Sequence, residues 1–511
     1  MNKLSTFFRN RPYIYWIFVA LVFLILSLLQ YYGSIRGHYI VPPGDDPYNH
    51  LNYINSIVEN KTGFFDILKS GGYPPLFHFI IAKMSGLTHL DPLRMLVLIY
   101  PLIFILASII IFIFSYLIFN RKVALIALLL YGFTQNAHLQ LQNDGGYPNL
   151  IATGIFLPLL LLFVVYFFKK EKIAHKIIFL FLSIIFVILI FATHHLTTLY
   201  LIVLFLISLL VMIIYLWASN KWSYKKGLSF LLLYSGIVYS LFYSFQTSDV
   251  FASARKLSNM MIHLTNQYPF FETTAREKIT TMPLDLYGDN LIKAIFIFGL
   301  IGLPYSFYLY KKSQKNYYPA LLLLSVWVIV FFSISRMGFL SDPGRAMRDM
   351  TIPLVIFTAI FLSDILNRFK DKIVAIALLT ICAYFWLWPN ISQRFVSARL
   401  YEPMVRITDA DIDAIKTIKN TPEKNKRILT NVSHPWLNYY LSDYNINYTQ
   451  DYLRDADLLN YDFVYQIDNQ MGWSSAPINY KFTKDISNGK LRMLGQYSTP
   501  TNNISVYQII K

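Results

Sequence analysis

Residues 13–50 read YIYWIFVALVFLILSLLQYYGSIRGHYIVPPGDDPYNH. Positions 13–33 form an unbroken apolar run, as long as the roughly 20 residues a bilayer core demands. Positions 42–47, Pro-Pro-Gly-Asp-Asp-Pro, form a rigid turn carrying two adjacent carboxylates, Asp45 and Asp46. A span that opens into an acidic turn sets the reading of the rest: helices that cross a membrane, and chemistry at its edge. Lys3, Arg9 and Arg11 precede the run as in a signal peptide. The apolar stretch is too long for one, and no small-x-small cleavage site follows, so it reads as an uncleaved first span.

Runs of the same kind recur at 96–119, 123–135, 149–168, 177–193, 196–217, 227–246, 291–310, 318–335, 351–367 and 373–390. The expected fold class is therefore an all-α polytopic membrane domain of about 11 transmembrane helices over residues 1–390. Composition agrees. Of the 511 residues 55% are hydrophobic and 14% charged, and mean hydropathy is +0.44. A soluble domain carries roughly 25% charged residues. Disorder, a disulfide-framed secreted fold and an ordinary cytosolic enzyme are excluded. The single cysteine, Cys382, lies in an apolar run and reads as inert packing; it excludes an internal disulfide and a cysteine-based zinc site.

The net charge of +17 raises the question of nucleic acid. Its distribution answers it. With the N-terminus in the cytoplasm, the inner segments are 1–12, 120–122, 169–176, 219–226, 311–315 and 367–372, and they hold 18 lysines and arginines against Glu171 and Asp371. The excess follows the positive-inside rule, so it reports topology and no nucleic-acid partner is expected. The long segments then face outward: a first outer loop at 34–95, further loops at 136–148, 247–290 and 336–350, and the tail. Work at the outer face of the cell membrane is the expectation.

The tail is a different material. Residues 391–511 hold 14 basic and 12 acidic side chains. TDADIDAIKTIKN (408–420) reads as a capped helix, and KRILTNV (426–432), YDFVYQI (461–467) and the terminal ISVYQIIK read as strands. A small extracytoplasmic α/β domain is expected there, serving as a structural or acceptor-guiding cap.

Candidate site residues cluster in the outer loops. Pro47 biases Asp46 toward an extended backbone, and a helix beginning at Pro47 places His50 in its first turn. Two carboxylates on such a turn suit deprotonation of a hydroxyl or oxygen ligation of a divalent cation; an isolated helix-capping Asp beside a solvated one is the plainer reading. The tetrapeptide Gly-Gly-Tyr-Pro occurs at 71–74 and again at 145–148, each time before an apolar stretch, bringing Tyr73 and, beside the second copy, Asp144. Glycine permits close backbone approach, whereas tyrosine at headgroup level is also an ordinary anchor. His194 and His195 stand at the outer end of a span, where ionisable residues usually face a cavity or protein interior. Two histidines alone do not make a zinc site. Arg345 and Arg348, three apart before the tenth span, share a face of a helical segment and suit a phosphate; Asp342 and Asp349 are their plainer partners.

The uncleaved first span, the acidic Gly44-Asp45-Asp46-Pro47 turn, the YPPLFHF segment (73–79) and the arginine-bearing loop before a late span resemble the GT-C membrane glycosyltransferases, near the protein mannosyltransferase and aminoarabinose-transferase branch. The resemblance covers residues 1–390 in architecture. It implies transfer of a sugar from a polyprenyl-phosphate donor to a glycan, lipid or protein acceptor at the extracytoplasmic face. It further implies Asp45 or Asp46 as the acceptor-side carboxylate and Arg345 and Arg348 as holders of the lipid phosphate. Oligosaccharyltransferases of this fold carry a WWDYG-type motif; the tail has only MGWSS (471–475), which argues against asparagine-linked glycan transfer. No cofactor is certain, and a divalent cation at Asp45 and Asp46 is left open.

Two other classes compete. A transporter or flippase of lipid-linked intermediates would also use outer arginines, but the two Gly-Gly-Tyr-Pro copies do not extend into a repeat. A non-catalytic scaffold would tolerate Asp45→Asn and Asp46→Asn. Within the enzyme reading, Asp46 is expected to cap a helix starting at Pro47, leaving Asp45 as the freer base.

Overall fold

The computed structural model describes residues 12–36, 46–59, 61–69, 73–134, 145–169, 172–218, 232, 235–236, 293–313, 318–337, 343–368, 409–422, 426–430, 435–448, 460–468, 489–498 and 503–510. Asp45, Asp144, Cys382, the MGWSS segment and the outer loop at 247–290 lie outside these residues. So do the expected span at 373–390 and nearly all of that at 227–246.

Helix α1 (Pro12–Arg36) is the first apolar run. The expected outer loop 34–95 is itself largely helical. It holds α2 (Asp46–Val58), α3 (Phe64–Lys69) and α4 (Leu76–Thr88). Helix α5 (Pro92–Ile118) follows at once. Asp91 starts it by accepting the Leu93 N–H at 2.8 Å, and Pro92 takes the first-turn position where no N–H is needed. Asn120 does the same for α6 (Arg121–Leu129), accepting from Lys122 and Val123 at 2.9 and 3.1 Å. A π-helical turn, Leu130–Thr134, extends α6. Together they rise only about 21 Å, short of a hydrocarbon core of about 30 Å.

The chain continues as α7 (Tyr147–Lys169, with a π-helical turn at Ala152–Phe156), α8 (Ile173–Thr193) and α9 (His195–Ala218). Then come α10 (Lys293–Ser313), α11 (Tyr318–Met337), α12 (Pro343–Asp349) and α13 (Thr351–Arg368). Among the described residues six helices are long and apolar enough to cross a membrane: α1, α5, α7, α8, α11 and the stretch Ala346–Arg368. Shorter apolar segments lie in α4, α9 and α10. The expectation of about 11 spans is therefore met only in part. The run at 123–135 falls short because its helix is too brief.

Outward-facing residues tell the same story. Ile173, Ile177, Phe181, Ile184 and Ile188 repeat at helical spacing on α8 and are all exposed. Such a stripe suits lipid, and the chain is an integral membrane protein. Inside the bundle, α10 and α13 pack closely. A Cβ added to Gly302 would stand 2.5 Å from the Phe357 carbonyl oxygen, so only glycine allows this approach.

The two ends of the bundle differ chemically. At one end Tyr15 donates to the Arg121 carbonyl at 3.0 Å, Lys122 donates to Asn367, and Asp364 accepts from Tyr305 and Arg368 at 2.6 Å. This joins two of the basic segments expected on one side. Arg368 closes α13 there, and Arg348 precedes the start of the same helix at the other end.

The C-terminal residues form α14 (Asp409–Asn420), β1 (Arg427–Thr430), α15 (Pro435–Tyr440), β2 (Asn445–Tyr448), β3 (Phe463–Asp468), β4 (Leu491–Ser498) and β5 (Asn503–Ile509). The sheet order is β2-β1-β3-β5-β4. β1 is parallel to β2 and β3, and β5 is antiparallel to β3 and β4. The expected helix and three strands are present. The sequence reading passed over β2 and β4, whose solvent-facing residues dilute the apolar signal.

Candidate active site

Helix α2 includes Asp46, one residue earlier than the sequence suggested. Both Asp46 and Pro47 lie in the first turn, where backbone N–H groups have no helical partner, so proline costs nothing there. Asp45 is thus the residue preceding the helix. Asp46 accepts at 3.4 Å from the Asn49 amide one turn along.

Gly145 lies against this turn. Its φ is +87°, and an added Cβ would stand 2.5 Å from Cδ of Pro47, 2.7 Å from Cβ of Asp46 and 2.9 Å from the Pro47 nitrogen. Nothing but glycine fits, by backbone conformation and by space. The second Gly-Gly-Tyr-Pro copy is therefore packed onto the acidic turn. Asp144 adjoins this contact in the chain.

His50 is fully enclosed behind that contact. Its Nε2 is 3.0 Å from the Gly145 carbonyl oxygen, and its Nδ1 is 2.9 Å from Nε2 of His78 on α4. His78 in turn places Nδ1 3.2 Å from the Pro74 carbonyl oxygen. Each copy of the tetrapeptide thus supplies one carbonyl to one histidine, and their tyrosines flank the His50 ring, Tyr73 at 5.5 Å and Tyr147 at 6.0 Å between centroids. Burial pushes His50 down from its ordinary range, opposed by the Asp46 carboxylate and the Gly145 carbonyl. Burial, with His50 beside it, holds His78 well below that range.

Tyr73 bridges to the histidine pair at the junction of α8 and α9. Its ring lies 6.1 Å from His194 and 5.3 Å from His195. His194 breaks the two helices with an extended backbone, φ −154° and ψ 117°. Its Nδ1 accepts the Thr197 N–H at 3.2 Å and caps α9; the Thr197 hydroxyl lies 2.8 Å from the same nitrogen and 3.1 Å from Oδ1 of Asn149. An Nδ1 that accepts fixes the proton on Nε2. His194 is thus a buried cap bound to α7. His195 follows it, its ring stacked on His194 at 5.2 Å.

The arginine-bearing segment is helical, as expected, with Arg345 and Arg348 both on α12. Arg348 is half-buried beside a fully buried Asp349. Asp349 acts electrostatically on Tyr131, whose hydroxyl lies 3.6 Å from the Cβ position of Gly154 on α7. So Tyr131 lies against α7 and within electrostatic reach of Asp349.

The structure therefore gathers Asp46, His50, Tyr73, His194 and His195 around the second Gly-Gly-Tyr-Pro copy. Sequence reasoning marked the repeat that contains Gly145 and Tyr147 without naming either as a site residue, and it did not single out His78 or Asn149. The metal expectation rests on Asp45 and Asp46, the first outside the described residues. Among the described residues no three His, Cys, Asp or Glu side chains converge as a metal site.

The C-terminal sheet rests on the same helix. Tyr439 and Tyr440 of α15 lie 5.9 and 6.4 Å from the Tyr48 ring on α2, and Tyr439 hydrogen-bonds Asn55.

No protein-family model matches the chain, and no curated protein matches it by sequence. Solved structures do match its fold. The archaeal oligosaccharyltransferase AglB from Archaeoglobus fulgidus, in complex with an inhibitory peptide and a dolichol-phosphate, superposes with a TM-score of 0.56 at 14% identity, over 99% of this chain and 75% of that one. ArnT from Cupriavidus metallidurans, bound to undecaprenyl phosphate, matches with a TM-score of 0.53 at 11% identity, over 97% of this chain and 98% of that one. The mycobacterial arabinofuranosyltransferase AftD gives 0.50 at 12% identity, over 97% of this chain and 40% of that one. At these identities the likeness is one of fold: this chain shares the fold of these structures.

Proposed function

We propose that this protein is a membrane glycosyltransferase that moves a sugar from a polyprenyl-phosphate donor to a hydroxyl-bearing acceptor at the extracytoplasmic face of the cell membrane. The observation that carries the reading is the acidic turn at Asp46, fixed by Gly145 and surrounded by histidines and tyrosines in a GT-C fold. The like-folded AglB and ArnT structures hold dolichol-phosphate and undecaprenyl phosphate, which supports a lipid phosphate as the leaving group.

The base is read here as Asp46, where the sequence favoured Asp45, because Gly145 packs against it. Asp46, held against Gly145, takes the proton from the acceptor hydroxyl. The acceptor oxygen bonds to the anomeric carbon as the bond from that carbon to the phosphate oxygen breaks. The polyprenyl phosphate departs as an anion, its charge met by Arg345 and Arg348. Phosphate is already a stable anion, so the departure needs little help from an acid. The basic segments support an orientation with the N-terminus and the Arg121–Arg368 end in the cytoplasm.

The test is transfer of labelled sugar by the purified protein in proteoliposomes, across a panel of polyprenyl-phosphate sugars and acceptors. Transfer lost in Asp46→Asn supports the reading. No transfer from any donor by folded protein overturns it, and movement of intact donor across the bilayer would assign a flippase instead.

A further inference from the structure

The His50–His78 pair poses a proton-counting problem. Three contacts run through its four ring nitrogens: Gly145 carbonyl to His50, His50 to His78, and His78 to the Pro74 carbonyl, at 3.0, 2.9 and 3.2 Å. A carbonyl only accepts, so His50 Nε2 and His78 Nδ1 must each carry a proton. Two neutral rings have then spent both their protons. The remaining nitrogens would face each other at 2.9 Å as two lone pairs, both buried. Leaving buried polar atoms opposed in this way is costly, and one further proton turns the contact into a hydrogen bond.

We propose that the His50–His78 pair binds a third, shared proton, forming a buried monocation that positions Gly145 and Asp46. The proton sits on the His50 side, where the Asp46 charge and the hydrogen bonds to Gly145 and His78 together outweigh the burial that pushes the ring the other way. His78 stays neutral and accepts. Asp46 is the charged group that acts on His50 among the described residues. The other titratable groups facing the pair are Tyr53 on α2, Tyr73 before α4 and Tyr147 on α7. His194 and His195 lie beyond Tyr73, Tyr100 beyond Tyr147, and Tyr439 and Tyr440 of α15 on the far side of α2. None of these adds a second full charge against the rings, so the pair takes one proton and resists another.

The arrangement has a use. The cation stands on the helix of the carboxylate that the proposed reaction uses. Its His50 arm also holds the Gly145 carbonyl, and through it the glycine that seats the acidic turn. His50 and His78 are positioning residues: they act through Gly145 and Asp46 and touch no reacting atom.

That use rests on the reading of Asp46 as the base, but the proton state does not, and it can be read without any sugar transfer. Full-length protein with ¹⁵N-labelled histidine, in nanodiscs, is compared with His50→Gln, His78→Gln and Asp46→Asn by ¹⁵N NMR at neutral pH. The expected result is one ring with both nitrogens protonated, at His50, and a neutral His78 protonated at Nδ1. The imidazolium signature should vanish in His78→Gln and in Asp46→Asn, which preserves the shape of the turn. Two neutral rings in the folded wild-type protein from pH 5 to 8 overturn the proposal. So does an imidazolium at His50 that persists in both His78→Gln and Asp46→Asn. In transfer assays His50→Gln should lower kcat on the order of 10²-fold with the donor KM little changed, as expected of a misplaced base; unchanged kcat removes the positioning role.

Discussion

Gly145 and Asp46 are in direct van der Waals contact across 99 residues of sequence, with no room between them for a methyl group. The contact joins the turn that follows the first span to the start of α7. It is closed from behind by His50, which bonds the Gly145 carbonyl. The acidic turn is therefore set by a distant loop as well as by its own prolines.

Gly145→Ala tests that contact. The new Cβ must displace Asp46 or Pro47, and alanine is strained at φ +87°. The variant should unfold at lower temperature, by about 1–3 kcal/mol. Its transfer rate should fall by a factor on the order of 10². Thermal melts and initial rates in detergent measure the two separately.

The carboxylates have an ordering. Asp46→Asn should cost about 10²–10⁴ in kcat, because the amide keeps the shape and loses the base. Asp45→Asn should retain most activity, since it leaves the proposed base at Asp46 intact. Equal loss in both would contradict this division.

Acid should destabilise the protein through His78. Its folded pKa is depressed, so the unfolded chain takes up a proton below about 6.5 that the folded chain refuses. The contribution is whole above that value and is lost as pH falls, by about 1.4 kcal/mol per unit. Melting temperatures from pH 6.5 to 5 should drop in wild type and drop less steeply in the double variant His50→Gln/His78→Gln.

Arg348→Ala should act on the donor. If α12 holds the lipid phosphate, the donor KM rises about tenfold or more and the acceptor KM is little changed. Titrating each substrate at saturating concentrations of the other separates the two.

The sheet is tethered to α2 by Tyr439 and Tyr440, whose rings meet Tyr48. Replacing both by alanine should free the C-terminal residues to limited proteolysis. An acceptor-guiding role predicts a raised acceptor KM as well. A merely protective role predicts faster cleavage with unchanged kinetics.

The sequence by itself determined that the chain lies in a membrane and where several of its long apolar helices run. Apolar runs such as 13–33 need no partner to be read, because burial in lipid demands a continuous stretch of fixed length. It also determined the basic end, since charge counts in short loops are local sums. It marked Asp46, His50, Tyr73 and the histidines at 194 and 195 by residue type and position. Only the tertiary structure decided that these form one cluster. The contact of Gly145 with Asp46 and the pairing of His50 with His78 span 99 and 28 residues of chain, and nothing in local pattern records which loop meets which. It also decided that His194 is a buried cap, through Thr197 and Asn149. It carried α2 back to include Asp46. A helix start depends on which N–H groups find partners, and those partners come from the folded surroundings.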